Sequence, residues 1–376
     1  MPDAPQSFVQ DFVRELLVSL PNAHQDNHDH IRFGPLPRTE RLKRLIRSAL
    51  RRLGFDRVGA VAGSLLQSGT LAYILTNSSR FEACYQRLAD RESQDLLVRV
   101  LAFRCLGADK VRLPLSTPEY WRGISAVERL ADTSDPLANH SHGWQLYRFD
   151  LGALGYPIVL YHTAKGAYTQ FVLQQYRCAH ERGDVQAASG DYVIDAGACW
   201  GDTALYFAHR VGPQGRVFSY EFIPGNLDVL RRNLALNPIP GERVTLIEHA
   251  VWSQSAKAVY YRDDGPSSVV RFEPFAGAQG QTQTLTIDDL VHHHQMPHVD
   301  FIKMDIEGAE REALKGAANT IRRYRPRLAI SIYHRLSDFL DIPEYIAELA
   351  PGYRFYIRHL TIHAEETVLF AEGGQG

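Results

Sequence analysis

Four short stretches hold residue types that can do chemistry when a fold brings them together. The first, residues 192–202, reads Y-V-I-D-A-G-A-C-W-G-D. An apolar pair, Val193 and Ile194, leads to Asp195; the small residues Ala196, Gly197 and Ala198 follow, and Gly201 opens a helical stretch at Asp202. A strand, a glycine turn and a helix start in this order lie at the carboxyl end of a strand, where parallel α/β sheets bind ligands. Glycine permits positive φ and close approach of a ligand. The N–H groups of a helix start favour a negative ligand group.

A dinucleotide site wants G-x-G-x-x-G. Gly197 and Gly201 are spaced G-x-x-x-G instead, so that pattern fails. Asp195, directly before the turn, would repel a pyrophosphate and suits a ligand with an ammonium group. S-adenosylmethionine has that ammonium, and a carboxylate for the helix start. The plainer alternative is a turn that only joins strand to helix. About 20 residues on, Glu221 ends a second apolar run and precedes I-P-G-N, with Asn226 as its last member. An acid there takes a ribose hydroxyl pair in nucleotide-binding folds. After a third run, His249 and Ala250 fall where an adenine would lie.

The fourth run ends in V-D-F-I-K-M-D-I-E-G-A-E, residues 299–310. Asp305 and Glu307 stand at its carboxyl end, and Gly308 permits a sharp turn into a helix. Two acids here can hold the donor ammonium, a divalent metal or a substrate hydroxyl; Glu310 suits a helix first turn. The fifth run ends in I-S-I-Y-H, which brings His334 to the same crevice as Asp305, where an imidazole could take a proton from a hydroxyl nucleophile. His292, His293, His294 and His298 read as an exposed loop. Tyr168, Gln170, Trp200 and Tyr333 are candidate walls of the donor or acceptor site, with aromatic core packing as the competing reading.

The elements that must position these groups follow from periodicity. Strands are expected at 192–196, 216–222, 243–249, 299–305, 327–333, 353–359 and 366–371, and helices at 202–210, 225–236, 308–322 and 342–349. Such alternation argues for a mostly parallel sheet covered on both faces, and the last two strands, with no helix between them, for an antiparallel close. Residues 252–290 read as an insertion with a strand at 258–262. Upstream, 7–20 has helical periodicity with Ser7 as cap, 79–106 is amphipathic with a break near 90–93, and 168–176 looks helical. Strands and loops are expected over 110–166, including 111–115, 147–151 and 157–161. The basic segment 39–53 reads as a packing helix with a solvated face. His24, Asp26, His28 and His30 read as a polar loop rather than metal ligands.

The chain has 376 residues, enough for two domains, and 45% hydrophobic with 22% charged residues is ordinary for a globular protein. A formal net charge of -2 gives no field for nucleic acid. Cys84, Cys105, Cys178 and Cys199 are far apart and read as reduced thiols of a cytoplasmic protein. No stretch is long and apolar enough to be a membrane span, and no signal peptide is evident.

Taken together, D-A-G-A-C-W-G-D, Y-E-F-I-P-G-N, K-M-D-I-E-G-A-E and L-A-I-S-I-Y-H resemble the FkbM-type S-adenosylmethionine-dependent methyltransferases over about residues 168–372. The resemblance implies a class I methyltransferase fold, an α/β Rossmann-like seven-stranded sheet with its last strand antiparallel. It implies methylation of a hydroxyl on a sugar or natural product, with Mg²⁺ left open. Residue by residue, it carries Asp195, Gly197 and Gly201 to the donor loop, Glu221 to the ribose, and Asp305 and Glu307 to an acidic pair near the methyl group; Ala198, Asp202 and Asn226, beside them in sequence, are further donor-binding candidates. N- or C-methylation, or a non-catalytic donor-binding module, are the alternatives. The expected division is a mainly helical accessory region over 1–145 and a methyltransferase domain over 146–376. The accessory region is assigned substrate selection or a contact with a second copy of the chain.

Overall fold

Val193 and Ile194 are β-branched and fully buried, and they make the central strand of a sheet on which the functional residues depend. The computed structural model describes residues 7–24, 26–35, 69–138, 145–181, 183–264 and 268–373. The basic segment 39–53 lies outside the described residues. The chain divides into two compact units, Met1–Tyr120 with Phe355–Thr367, and Trp121–Arg354 with Val368–Gly376. This division falls near residue 120, earlier than the boundary expected at 145, and gives part of the last hairpin to the first unit.

The first unit is built on helices Phe8–Ser19, Ser78–Arg87 and Arg91–Leu106. Phe8 stacks on Phe12 at 5.5 Å and on Phe81 at 5.2 Å between ring centroids. The expected break near 90 is present: Asp90 caps the third helix by accepting from the Ser93 N–H at 2.7 Å. In the first helix the buried face runs through Phe8, Asp11 and Phe12, which leaves Val13 and Leu17 exposed, and the expected cap fails. Ser7 does not cap, since its hydroxyl donates to Glu82 at 3.0 Å. In the 24–30 stretch, Asp29 caps the short helix His30–Phe33.

The second unit holds most of the strands. Strands β1 (Ala131–Ala138), β2 (Gln145–Asp150) and β3 (Val159–His162) form an antiparallel sheet, and β4 (Cys178–His180) with β5 (Gly183–Val185) a small hairpin. Residues 111–115 form no strand, and Pro118–Glu128 is a helix that the periodicity did not announce. The main sheet comprises β6 (Tyr192–Ala196), β7 (Arg216–Tyr220), β8 (Val244–Ile247), β13 (Phe301–Met304), β14 (Arg327–Ser331), β15 (Tyr353–His359) and β16 (Thr367–Gly373). The insertion contributes β9 (Ala250–Val251), β10 (Ala258–Arg262), β11 (Val269–Arg271) and β12 (Gly280–Leu285) as a separate four-stranded sheet.

The strand order of the main sheet is β15-β16-β14-β13-β6-β7-β8. The pairs from β14 to β8 are parallel, and β16 runs antiparallel to β14. This is the expected class I order. From β6 the chain winds outwards through β7 and β8, then returns to β13 on the other side of β6. Adjacent strands that lead away in opposite directions open a crevice at their carboxyl ends. The expected helix over 308–322 is two helices, Glu310–Lys315 and Ala318–Tyr324. The one before β15 starts early, at Asp338, and keeps Pro343 inside its buried face.

Candidate active site at the β6–β13 crevice

The carboxyl ends of β6 and β13 meet at Gly197 and Asp305. Gly197 has φ of +87°, and a Cβ there would stand 2.0 Å from the carbonyl oxygen of Asp305. No other residue fits, both for backbone conformation and for space. The Gly197 and Ala198 N–H groups both donate to the Tyr220 carbonyl at the end of β7, at 3.1 and 2.9 Å, which ties the turn to the next strand. Gly201, also at positive φ, starts the helix Asp202–Val211.

Asp195 does not face the crevice. It is fully buried, takes hydrogen bonds from the Thr203 and Ser219 hydroxyls at 2.8 and 3.2 Å, and pairs with Lys303 Nζ at 3.2 Å. Lys303 in turn donates to the carbonyls of Ala196 and Gly197, at 3.2 and 2.6 Å. Burial pulls the lysine pKa down, but the charges of Asp195 and Asp305 outweigh it and hold the ammonium protonated. Asp195 thus lies sealed beneath the turn, with no exposed face towards the donor ammonium expected beside it. Sequence reasoning missed Lys303. The signal was a lysine inside the apolar strand F-I-K-M.

Glu221 follows β7 and is also buried. One carboxylate oxygen takes the N–H groups of Phe222 and Ile223 at 2.7 and 2.8 Å, and the other takes the Asn226 amide at 3.3 Å. Burial pushes its pKa up to about 7, against the lowering effect of those hydrogen bonds. Asn226 thus orients Glu221. Ala250 sits in β9 against Thr284, and His249 Nδ1 lies 3.2 Å from the Gln283 carbonyl, so both residues join the inserted sheet to this side of the fold.

Asp202 lies in the first helical turn, 3.6 Å from His162 Nε2. Burial raises its pKa, yet the nearby His162 and Lys303 charges bring it below the ordinary value. Trp200 is buried in an apolar cluster with Leu146, Tyr161 and Val229, so core packing is its role. Tyr168 is packed as well: a Cβ on Gly123 would stand 2.3 Å from its ring, so only glycine leaves room for it. Gln170 is buried on the π-helical turn Tyr168–Val172. The helix expected over 168–176 is therefore the turn Ala164–Ala167 followed by that π turn, ending before Tyr176.

On the acceptor side, Asp305 takes hydrogen bonds from two tyrosines, Tyr176 at 3.0 Å and Tyr333 at 3.2 Å. Its side chain keeps 18% of its surface accessible, unlike that of Asp195. His334 stands in a ring of acids. Its Nδ1 is 3.1 Å from Glu310, and its Nε2 is 3.5 Å from Asp305 and 3.7 Å from Glu307. Burial alone would lower the imidazole pKa, but Glu310, Asp305 and Glu307 outweigh it and lift it to about 9. These acids favour the protonated imidazole, which works against the base role expected of His334. Glu310 is buried and also accepts from the Ile306 N–H at 2.8 Å; its place beside His334 goes beyond the first-turn role read from sequence. Glu307 adopts a left-handed φ of +57° and is half exposed.

Among the described residues, Asp305, Glu310 and His334 offer ligand atoms that all lie within 4.8 Å of one another, close enough to share an ion. The expected metal pair was Asp305 with Glu307; Glu310 takes the second acid's place in this group. His292, His293 and His294 are exposed as expected, but the first two end the helix Ile287–His293 instead of lying in a loop. His298 pairs with Asp300 at 2.6 Å.

The family model described as the methyltransferase FkbM domain matches residues 184–355. A curated relative, methyltransferase sdnD of Sordaria araneosa, is 23% identical over 197 residues, which is 42% of this chain and 71% of the relative. Among solved structures, methyltransferase FkbM from Methylobacillus flagellatus KT is 24% identical with a TM-score of 0.49, over 80% of this chain and 60% of that one. This chain therefore spans three-fifths of the length of that protein. An O-methyltransferase from Bacillus cereus, in complex with SAH, is 14% identical with a TM-score of 0.34, over 67% of this chain and 90% of that one.

Proposed function

We propose that this chain, whose residues 184–355 match the methyltransferase FkbM domain model, is a methyltransferase that moves the methyl group of S-adenosylmethionine to a hydroxyl oxygen of a small molecule. The observation that carries this reading is the Asp305 carboxylate. It is held by two tyrosine hydroxyls beside the Gly197 turn, with part of its surface still open. A carboxylate so placed accepts the hydrogen of a hydroxyl group.

The residues present fit the donor. The Gly197 turn packs its backbone against the Asp305 carbonyl, 2.0 Å from where a Cβ would stand, which sets the turn beside the open carboxylate, and the carboxylate of Glu221 is suited to ribose hydroxyls. When bound, S-adenosylmethionine supplies a methyl group on a positively charged sulfur. Asp305 would take the proton of the acceptor hydroxyl at its open carboxylate oxygen. Base assistance of this kind is worth about 10²–10⁴-fold, and positioning of the two reactants supplies the larger share. Tyr176 and Tyr333 orient the carboxylate. His334 and Glu310 balance charge behind it.

A second reading adds a divalent cation, favoured by the spacing of Asp305, Glu310 and His334. Carboxylate and imidazole are suitable ligands, and the cation would lower the pKa of the acceptor hydroxyl. Titration calorimetry with S-adenosylmethionine tests the donor: absence of binding by the folded protein sinks the proposal. Dialysis against a chelator, followed by assay with and without Mg²⁺ or Mn²⁺, tests the cation; activity unchanged by both treatments removes it. The acceptor class is read by screening small hydroxyl compounds for methyl transfer, and cytoplasmic residence belongs to the same proposal.

A further inference from the structure

The inserted sheet meets the main fold at the carboxyl ends of β7 and β8. Asp263, just after β10, accepts from the Gly225 N–H at 2.9 Å, in the first turn of the helix Pro224–Ala235. The Thr282 hydroxyl of β12 donates to the Glu248 carbonyl at 3.2 Å, next in sequence to His249 and Ala250. Phe222 follows Glu221 and gives its N–H to that carboxylate at 2.7 Å. Its ring meets the Tyr261 ring of β10 edge-on, with centroids 5.8 Å apart. Tyr261 therefore stands beside the stretch that carries the proposed ribose acid.

The inserted sheet makes room for this ring. Gly280 faces Tyr261 across the β10–β12 pair. A Cβ on Gly280 would stand 2.4 Å from the Tyr261 hydroxyl oxygen, so a side chain there would displace the phenol. Alternate residues of a strand share a face. On that face of β10, Val259 is fully buried, whereas Tyr261 is only half-buried, as is Phe222. The apolar face of the inserted sheet thus ends in two rings that keep open surface. Aromatic rings with open surface stack on a purine. Glu221, next to them, is suited to the ribose that carries that purine. We propose that Tyr261, held against Phe222, supplies an aromatic wall for the adenine of the methyl donor. This rests on the donor assignment made above.

The test is titration calorimetry with two probes, S-adenosylhomocysteine and 5′-methylthioadenosine, which share the adenine and differ at the amino-acid end. Wild type is compared with Tyr261→Ala, Tyr261→Leu and Tyr261→Phe, and thermal melts are recorded alongside. The expected result is that Tyr261→Ala and Tyr261→Leu each lose the same factor on both probes, roughly 5- to 100-fold, the range for one base–aromatic stack. Tyr261→Phe, which keeps the ring, is expected to bind as wild type does. Unchanged affinity in the Ala and Leu variants overturns the proposal, as does loss for S-adenosylhomocysteine alone, which would put the ring at the amino-acid end. Equal loss in Tyr261→Phe would assign the contact to the hydroxyl, and failure of both the Ala and Leu variants to fold would make the ring structural; either result removes the wall. If wild type binds neither probe, the donor assignment itself falls; if wild type binds both and the variants follow it, only Tyr261 is wrong.

Discussion

Two carboxylates, Asp195 and Asp305, end neighbouring strands of the same sheet and have opposite surroundings. Asp195 is sealed: two hydroxyls and a lysine ammonium surround it, and that ammonium reaches on to the carbonyls of the glycine turn. Asp305 is held by tyrosine hydroxyls, faces a crowd of acids around one imidazole, and keeps an accessible surface. A fully compensated buried charge shapes backbone. A partly open one can exchange hydrogen bonds with a ligand. The same residue type is thus sealed into structure on one strand and left open to a ligand on the next.

Substitutions should separate the two roles. The largest effect is expected from Lys303→Met, which leaves Asp195 buried without its counter-charge. Loss of one partner of a buried pair costs about 3–5 kcal/mol, to be read in denaturant unfolding; a change below about 1 kcal/mol, ordinary for a surface site, would show that the pair does not hold the turn. Asp305→Asn is expected to do the reverse, with turnover falling about 10²–10⁴-fold while the melting curve and donor affinity stay near wild type. Retained turnover would move the proton acceptor elsewhere.

Smaller effects test the supporting groups. Tyr176→Phe and Tyr333→Phe each remove one hydrogen bond to Asp305, worth about 1.5–3 kcal/mol for a charged acceptor. The expected signature is a lower rate and a shifted pH profile; a raised acceptor KM alone would mean that the tyrosines touch substrate rather than hold the carboxylate.

The smallest effect concerns Glu221. Its pKa stands near 7, above the ordinary carboxyl value, because it is buried. Below that pH it is protonated and loses acceptor capacity for ribose hydroxyls, so donor affinity should weaken as pH falls through 7, at most about tenfold per unit. Near pH 7, binding should release protons, seen as a dependence of the calorimetric heat on buffer ionisation enthalpy. Folding stability has the opposite sign: a raised carboxyl pKa favours the folded state at low pH, and that contribution is lost as pH rises from about 4.5 towards 7. Affinity flat between pH 6 and 8 would take Glu221 out of the ribose site.

Much of the fold was legible in sequence because its signals are local. Apolar runs in β6, β13 and β14, bounded by Gly197, Asp305 and the Tyr333–His334 pair, mark strand ends within a residue or two. Other features depend on neighbours distant in sequence. The first helix turns Asp11 inwards because Tyr85 and Arg91 bind it at 2.7 and 2.9 Å, which no helical period announces. Residues 168–172 take a π turn in place of a plain helix, and sequence periodicity does not distinguish the two.

The sequence by itself determined that a glycine turn, an acid after the next strand, an acidic strand end and a histidine would converge at the carboxyl edge of a parallel sheet. Strand period and turn chemistry are written in adjacent residues. Only the tertiary structure decided which of those groups face the crevice. The pairing of β6 with β13 brings Lys303 to Asp195 and closes it, and the pairing of β13 with β14 brings His334 among Asp305, Glu307 and Glu310. The physical reason is that a charge takes its character from its partners and its contact with water, and in a parallel sheet those partners come from strands far apart in the chain.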